Sequence, residues 1–179
     1  LGLRSTRRFV LRTSSKGVAA GTVCRQLLRA LGIEVSGYVR AVGGAEDGGE
    51  YAFEELSRRS ADLMMMDEGA EKRAKQVIDD CAARGDTCGG VLELRVKGLK
   101  SGFGSCMTYA EKLDARLIAA LMSVQVIKGA EVGLGFGVAA RCGSGVHDEI
   151  FYDQTRGYYR KTNRAGGIEG GMSNGEEIV

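Results

Sequence analysis

Residues 111–122 read EKLDARLIAALM and residues 91–97 read VLELRVK. The first segment is apolar nearly all round after its first turn, which predicts a helix covered on several sides. Asp114 and Arg116 are its charged exceptions and would need partners if buried. The second alternates strictly. Leu92, Leu94 and Val96 fall on one side and Glu93, Arg95 and Lys97 on the other. That is the pattern of a strand with one dry and one wet face, as antiparallel sheets allow. One-faced strands beside a wrapped helix predict an α+β fold, a β-α-β sandwich with helices packed between antiparallel sheets.

The flanking sequence extends the pattern. Residues 33–42 alternate, with Ile33, Val35, Gly37, Val39 and Ala41 on the apolar side and Glu34, Ser36, Tyr38 and Arg40 on the polar side. Residues 17–31 predict a helix that Gly32 ends. GGAEDGGE over 43–50 is a turn-rich loop. Residues 69–84 predict a helix with Ala70, Ala74, Val77, Ile78, Cys81 and Ala82 inward, and with Glu71, Asp79 and Asp80 outward. Neighbours on a helix diverge by about 100°, so Asp79 and Asp80 form no catalytic pair. Residues 52–66 are ambiguous, and the run Leu63–Met66 reads as core filler. A Gly/Ser loop over 98–110, a short strand near 124–127, a helix near 134–141 and a glycine-rich tail from 143 complete the chain.

The length of 179 residues is enough for a core that hides roughly 70% of the unfolded chain's surface. No run of about 18 apolar residues predicts a membrane span, and no apolar stretch near the start predicts a secretory signal. Glycine is abundant at 28 residues and proline is absent. The first residue is Leu1, so a fragment or a processed chain is expected. The five cysteines contain no CxxC pair and the chain has one histidine. Reduced thiols, a cytoplasmic setting and no metal site are the expectation. Residues 1–33 carry seven basic and no acidic residues of a net charge of +2, leaving −5 for the rest. Residues 1–17 are therefore set apart as a basic N-terminal segment, with 18–179 as the core domain. The basic leader fits a solvated end, an anion-binding surface or a targeting segment. Without interleaved aromatics it makes a poor nucleic-acid platform.

Most chemical signatures are absent. There is no P-loop and no G-x-S-x-G, and GLGFG over 133–137 lacks the dinucleotide fingerprint. His147 stands beside Asp148 and Glu149, either as half of an acid–base pair or as a structural residue. The informative stretch is TNRAGGIEGGMSNG, residues 162–175. Two Gly-Gly pairs can bring backbone N–H groups close to an anion, with Asn163, Ser173 and Asn174 as polar neighbours and Arg160, Lys161 and Arg164 as charge. The same spacing fits a glycine-rich hairpin, and the residues alone leave both readings open.

These motifs carry a resemblance. KLDARL (112–117), SVQVIKG (123–129), EVGLGF (131–136), GSGVHDEI (143–150), the 162–175 run and VAAGTVCRQLL (18–28) together resemble the chorismate synthase family, continuously from about residue 18 to 179. The resemblance implies the sandwich fold, a homotetramer and a lyase of aromatic amino-acid biosynthesis in the shikimate pathway. That lyase removes phosphate from the small-molecule substrate 5-enolpyruvylshikimate 3-phosphate, a 1,4-anti elimination giving chorismate. It implies reduced FMN as cofactor, no metal, and neither a nucleic-acid nor a membrane partner. By resemblance Gln125, Val126, Asn163, Ala165 and Gly175 line the flavin site, with Val126 where the family commonly has alanine. Arg8 and Arg12 match the arginines of the family's R-S-S-A-R-E-T segment and would bind anionic substrate or cofactor phosphate. The family's catalytic histidines fall in segments this chain does not match, so no catalytic residue is assigned. The alternative is a catalytically incomplete or redesigned core of the same fold that only folds and associates.

Overall fold

The structure is a computed structural model that describes residues 3–179, with side chains from residue 16 onward. Its helices are α1 (Leu3–Ala30), α2 (Glu68–Ala83) and α3 (Leu113–Met122). Its strands are β1 (Glu34–Val42), β2 (Ala45–Glu46), β3 (Gly90–Lys97), β4 (Ile150–Asp153), β5 (Gly157–Arg160), β6 (Ile168–Glu169) and β7 (Met172–Ser173). The sheets run in the orders β2-β1-β3, β4-β5 and β6-β7. The chain divides into two compact units, Val35–Arg95 and the combination of Leu1–Glu34 with Val96–Val179.

In the Val35–Arg95 unit, β1 and β2 form a two-residue hairpin through Gly43 and Gly44, both at positive φ (+55° and +86°). Only glycine adopts that pair without strain, and its twist matches the strands. Asp67 caps α2 by accepting from the Ala70 N–H at 2.5 Å. Ala70 and Ala74 then pack with Ala45 and Met65, against Val39 and Val42. Met65 is the buried member of the methionine run, whereas Met64 is exposed at φ +59°. The ambiguous stretch 52–66 holds a 3-10 helix over Phe53–Arg58, whose Phe53 and Leu56 form a second core cluster with Tyr38.

That cluster reverses two expected faces. Tyr38, expected on the wet side of β1, is among the most buried residues of the chain. On β3, Leu92 and Leu94 are 61% and 46% exposed. The Glu93 side chain is only 14% exposed, in ion pairs with Arg40 at 2.9 Å and Arg95 at 2.6 Å. The Tyr38 hydroxyl donates to Glu93 and accepts from Arg40 at 2.8 Å, and Arg95 donates to the Tyr51 carbonyl at 2.6 Å. The charges can turn inward because they neutralise one another there. Glu71, expected to face outward, is likewise buried and pairs with Lys75 at 2.8 Å. Asp79 and Asp80 are exposed, as predicted.

In the other unit, α1 ends as predicted. Gly32 sits at φ +78° and the Ile33 N–H reaches back to the Leu28 carbonyl at 2.9 Å, closing a Schellman motif. The helix is longer than its periodicity suggested, beginning at Leu3. Helix α3 has no buried residue, which corrects the expectation of a helix covered on several sides. It packs near β7, and its residues are all intermediate or exposed. The expected strand at 124–127 is a turn, because Val126 takes φ +78°, which no strand accepts. The expected helix near 134–141 is a 3-10 helix over Gly135–Ala140.

Candidate functional site

The glycine-rich tail folds as a hairpin. Strands β6 and β7 pair Ile168 with Ser173 and Glu169 with Met172, turning through Gly170 and Gly171 at positive φ. Ser173 zips this hairpin to the 98–104 loop. Its hydroxyl donates to the Lys100 carbonyl at 2.6 Å and accepts from the Phe103 N–H at 2.9 Å. The Leu113 N–H donates to the Gly171 carbonyl at 2.8 Å, so the hairpin turn also caps the start of α3. Val96 and Ile178 exchange two backbone hydrogen bonds of 2.9 Å.

Backbone N–H groups of this tail do converge on an anion, and the chain itself supplies it. Asp148 is buried, and its carboxylate accepts from the Thr162 hydroxyl at 2.5 Å and from the N–H groups of Arg164 at 2.9 Å and Ala165 at 2.8 Å. Burial alone would raise its carboxyl. The Thr162, Ala165 and Arg164 hydrogen bonds and the nearby Arg160 charge outweigh burial and hold it below the ordinary aspartate value. Both oxygens of the Asp148 carboxylate are thus engaged by the 162–165 loop.

The remaining polar groups are also engaged within the chain. Asn163 Nδ2 donates to the Glu177 carbonyl at 2.7 Å, while its Oδ1 accepts from the Gly167 N–H at 2.8 Å. The Asn174 amide donates to Glu169 and accepts from the Glu176 N–H. Arg160 pairs with Glu169 at 2.6 Å, and Lys161 lies 4.0 Å over the Phe151 ring. Two glycines serve backbone-on-backbone packing. An added Cβ on Gly166 would lie 2.5 Å from the Gly133 Cα, and one on Gly133 would lie 2.7 Å from the Ala165 carbonyl carbon. Of the two readings left open by the residues, the structure takes the glycine hairpin.

The residues expected at a flavin fall into two groups. Asn163 and Ala165 have their polar atoms committed to the hairpin and to Asp148, so they shape the loop rather than offer a free contact. Gln125, Val126 and Gly175 are exposed, and the Gln125 amide has no hydrogen bond among the described residues. Val126 is 87% exposed and sits in the left-handed region, a genuine outlier for a β-branched residue. Gly175 takes φ +96°, and a Cβ there would meet nothing closer than Ser101 at 3.8 Å. The result is a bare backbone edge against which a flat group can lie. These three residues fit a planar cofactor in kind; Asn163 and Ala165 do not offer theirs. Arg8 and Arg12 lie on α1, but their side chains are outside the described residues. Among the described residues no three His, Cys, Asp or Glu side chains gather into a metal site, and no helix is long and apolar enough to cross a membrane.

The turn at Gln125–Val126 carried no sequence signal beyond the family resemblance, because a positive φ at valine is not predictable from propensity. The role of Asp148 was missed for another reason. Its partners lie 14 to 17 residues onward, beyond any local pattern.

Comparison with known proteins shows the chain's family. The family model described as chorismate synthase matches residues 2–179. The chorismate synthase of Geobacter sulfurreducens is 47% identical over 190 aligned positions, covering 98% of this chain and 48% of that protein. That of Caldicellulosiruptor saccharolyticus is 45% identical, covering 96% of this chain and 46% of that protein. A solved structure titled as a crystal structure of chorismate synthase superposes with a TM-score of 0.81 at 35% identity, covering 90% of this chain and 52% of the other. That likeness, with the helices and antiparallel sheets of this chain, matches the α+β class expected from the residues. The chain spans about half the length of the curated relatives it matches. Across nearly all of its own length, it belongs to the chorismate synthase family.

Proposed function

We propose that this chain forms part of a chorismate synthase, a lyase that eliminates phosphate from 5-enolpyruvylshikimate 3-phosphate to give chorismate and that works with reduced FMN. The reading rests on family membership together with one structural observation, the exposed and strained turn at Gln125–Val126. A non-glycine residue in an unfavourable backbone region costs about 1–3 kcal/mol and persists where its surroundings impose it. No surrounding side chain covers Val126, which leaves a bound group or a neighbouring subunit to complete the site. When bound, reduced FMN would lend electron density to the substrate ring as its C–O bond to phosphate and one C–H bond break, and would recover it, so that no net redox change occurs.

The chain's own part is to bind and orient. The Gln125 amide and the Val126 backbone would offer hydrogen-bonding groups to the cofactor, and Gly175, without a side chain, would allow its close approach. Arg8 and Arg12, four residues apart on α1, would hold a phosphate. The partner expected from the family resemblance is a second copy of the protein. The expected location is the cytoplasm.

Anaerobic titration of the intact protein with reduced FMN, followed by substrate, tests the assignment. A flavin absorbance change and the appearance of chorismate are expected, with weaker flavin binding in Gln125→Ala and Gly175→Val. An intact protein that leaves the flavin spectrum unchanged and forms no chorismate overturns it.

A further inference from the structure

We propose that Asp148 is a positioning residue for the flavin-facing edge, an inference that rests on the reading just given. Its buried carboxylate gathers the Thr162 hydroxyl and the Arg164 and Ala165 N–H groups. The loop so gathered grips the chain on both sides of Gly175. On one side the Gly167 N–H is held by Asn163 Oδ1, and the Gly167 carbonyl accepts the Asn174 N–H at 2.9 Å. On the other side Asn163 Nδ2 holds the Glu177 carbonyl. The Leu134 N–H also reaches the Arg164 carbonyl at 2.9 Å, tying the 133–135 turn to the same loop. Asp148 touches no part of the exposed edge itself. Its effect passes through the loop, and every link in that path is a hydrogen bond of ordinary length.

Successive backbone N–H groups aimed at one point form a concave anion site whatever the anion's source. Tethering the carboxylate to residue 148 keeps that site filled at all times. The loop then holds one shape without any solute, and Gly175 is presented in a fixed place. Removing the carboxylate leaves two partly buried N–H groups without their acceptor, and these turn toward other partners. If the competent loop shape falls to about a tenth of the population, apparent flavin affinity falls about tenfold.

The test uses the intact protein and four forms: wild type, Asp148→Asn, Asp148→Gly and the milder Thr162→Val. Two quantities are read, the melting temperature and the dissociation constant of FMN. Asp148→Asn is expected to weaken FMN binding by roughly tenfold, and Thr162→Val by less. In Asp148→Gly, added formate should refill the vacated site. It should raise the melting temperature and tighten FMN binding, while acetamide, uncharged and somewhat larger, should do neither. Formate should leave wild type unchanged. If Asp148→Gly is unfolded by circular dichroism, Asp148→Asn and Thr162→Val carry the comparison. Unaltered FMN binding in Asp148→Asn and Thr162→Val, or equal rescue by formate and acetamide, overturns the proposal. Failure of the wild-type protein to bind FMN overturns instead the functional reading, and the melting temperatures with formate still decide whether Asp148 fills an anion site.

Discussion

Adding one methyl group at Gly133 should destabilise the chain far more than its surface position in a glycine-rich turn suggests. Gly133 holds φ +60°, and an L-residue there costs about 1–2 kcal/mol. Its new Cβ would lie 2.5 Å from the Gly166 N and 2.7 Å from the Ala165 carbonyl carbon, distances real Cβ atoms essentially never show. These neighbours are backbone atoms that cannot swing aside, so overpacking adds about 1–3 kcal/mol. A total near 3 kcal/mol lowers the melting temperature by about 6–12 °C in a domain of this size. Since the chain has no tryptophan, far-ultraviolet circular dichroism is the assay. Gly137→Ala is the matched control, having open space and no positive φ, and it should change stability by about 1 kcal/mol or less. Gly166→Ala strikes the same contact from the opposite side, so the double substitution should cost less than the two added together. A Gly133→Ala protein that melts within a degree or two of wild type would refute the backbone-on-backbone packing.

Other predictions follow the same contacts. Glu93→Ala should cost about 2–3 kcal/mol, because it removes the carboxylate that Arg40, Arg95 and the Tyr38 hydroxyl share, while Leu92→Ser on the exposed face should cost about 0.5 kcal/mol or less; urea unfolding of both variants checks the inverted face. The Asp148 carboxyl titrates below its ordinary 3.8 in the folded chain. Its stabilisation is therefore complete above that value and is lost as pH falls through the folded value. The stability gap between wild type and Asp148→Asn should thus be constant from pH 5 to 7 and narrow in stronger acid, as read from melts across that range. Burial and the hydrogen bond to Asp47 push the Tyr51 hydroxyl up to about 12 from 10.0. The stabilisation it gives is present below 10 and disappears as pH rises toward 12. Tyrosinate absorbance near pH 12 should therefore include a step that Tyr51→Phe lacks.

Elements whose signals are local could be read from the residues. The helix at 69–84 and its exposed Asp79 and Asp80, the end of α1 at Gly32 and the strand at 33–42 all follow from periodicity or from a glycine at a turn. What could not be read was which face of a strand meets the core. VLELRVK alternates, and apolar-inward is the ordinary reading, yet Glu93 and Arg95 turn inward because Tyr38 and Arg40 await them on β1, more than 50 residues earlier. Hydrophobicity has no term for a charge whose partner lies that far away. The apolar character of 111–122 also misled, since it reports what a helix could cover and not what stands beside it. At the candidate site, TNRAGGIEGGMSNG suggested N–H groups of its Gly-Gly pairs aimed at an anion, whereas those that converge belong to Arg164 and Ala165. It could not announce that residue 148 fills them, and the exposed Gln125–Val126 turn is legible only through the family resemblance.

The division of the chain into an uninterrupted stretch, Val35–Arg95, set within a split one has a consequence for synthesis on the ribosome. The inner stretch is consecutive in sequence, so it can consolidate while the remainder is still being translated. The split one cannot. The Gly133 N–H donates to the Val179 carbonyl and Val96 pairs with Ile178, so closure waits until residue 179 has left the exit tunnel. A nascent chain arrested shortly before that point should already protect the first stretch from protease and leave the second open to cleavage.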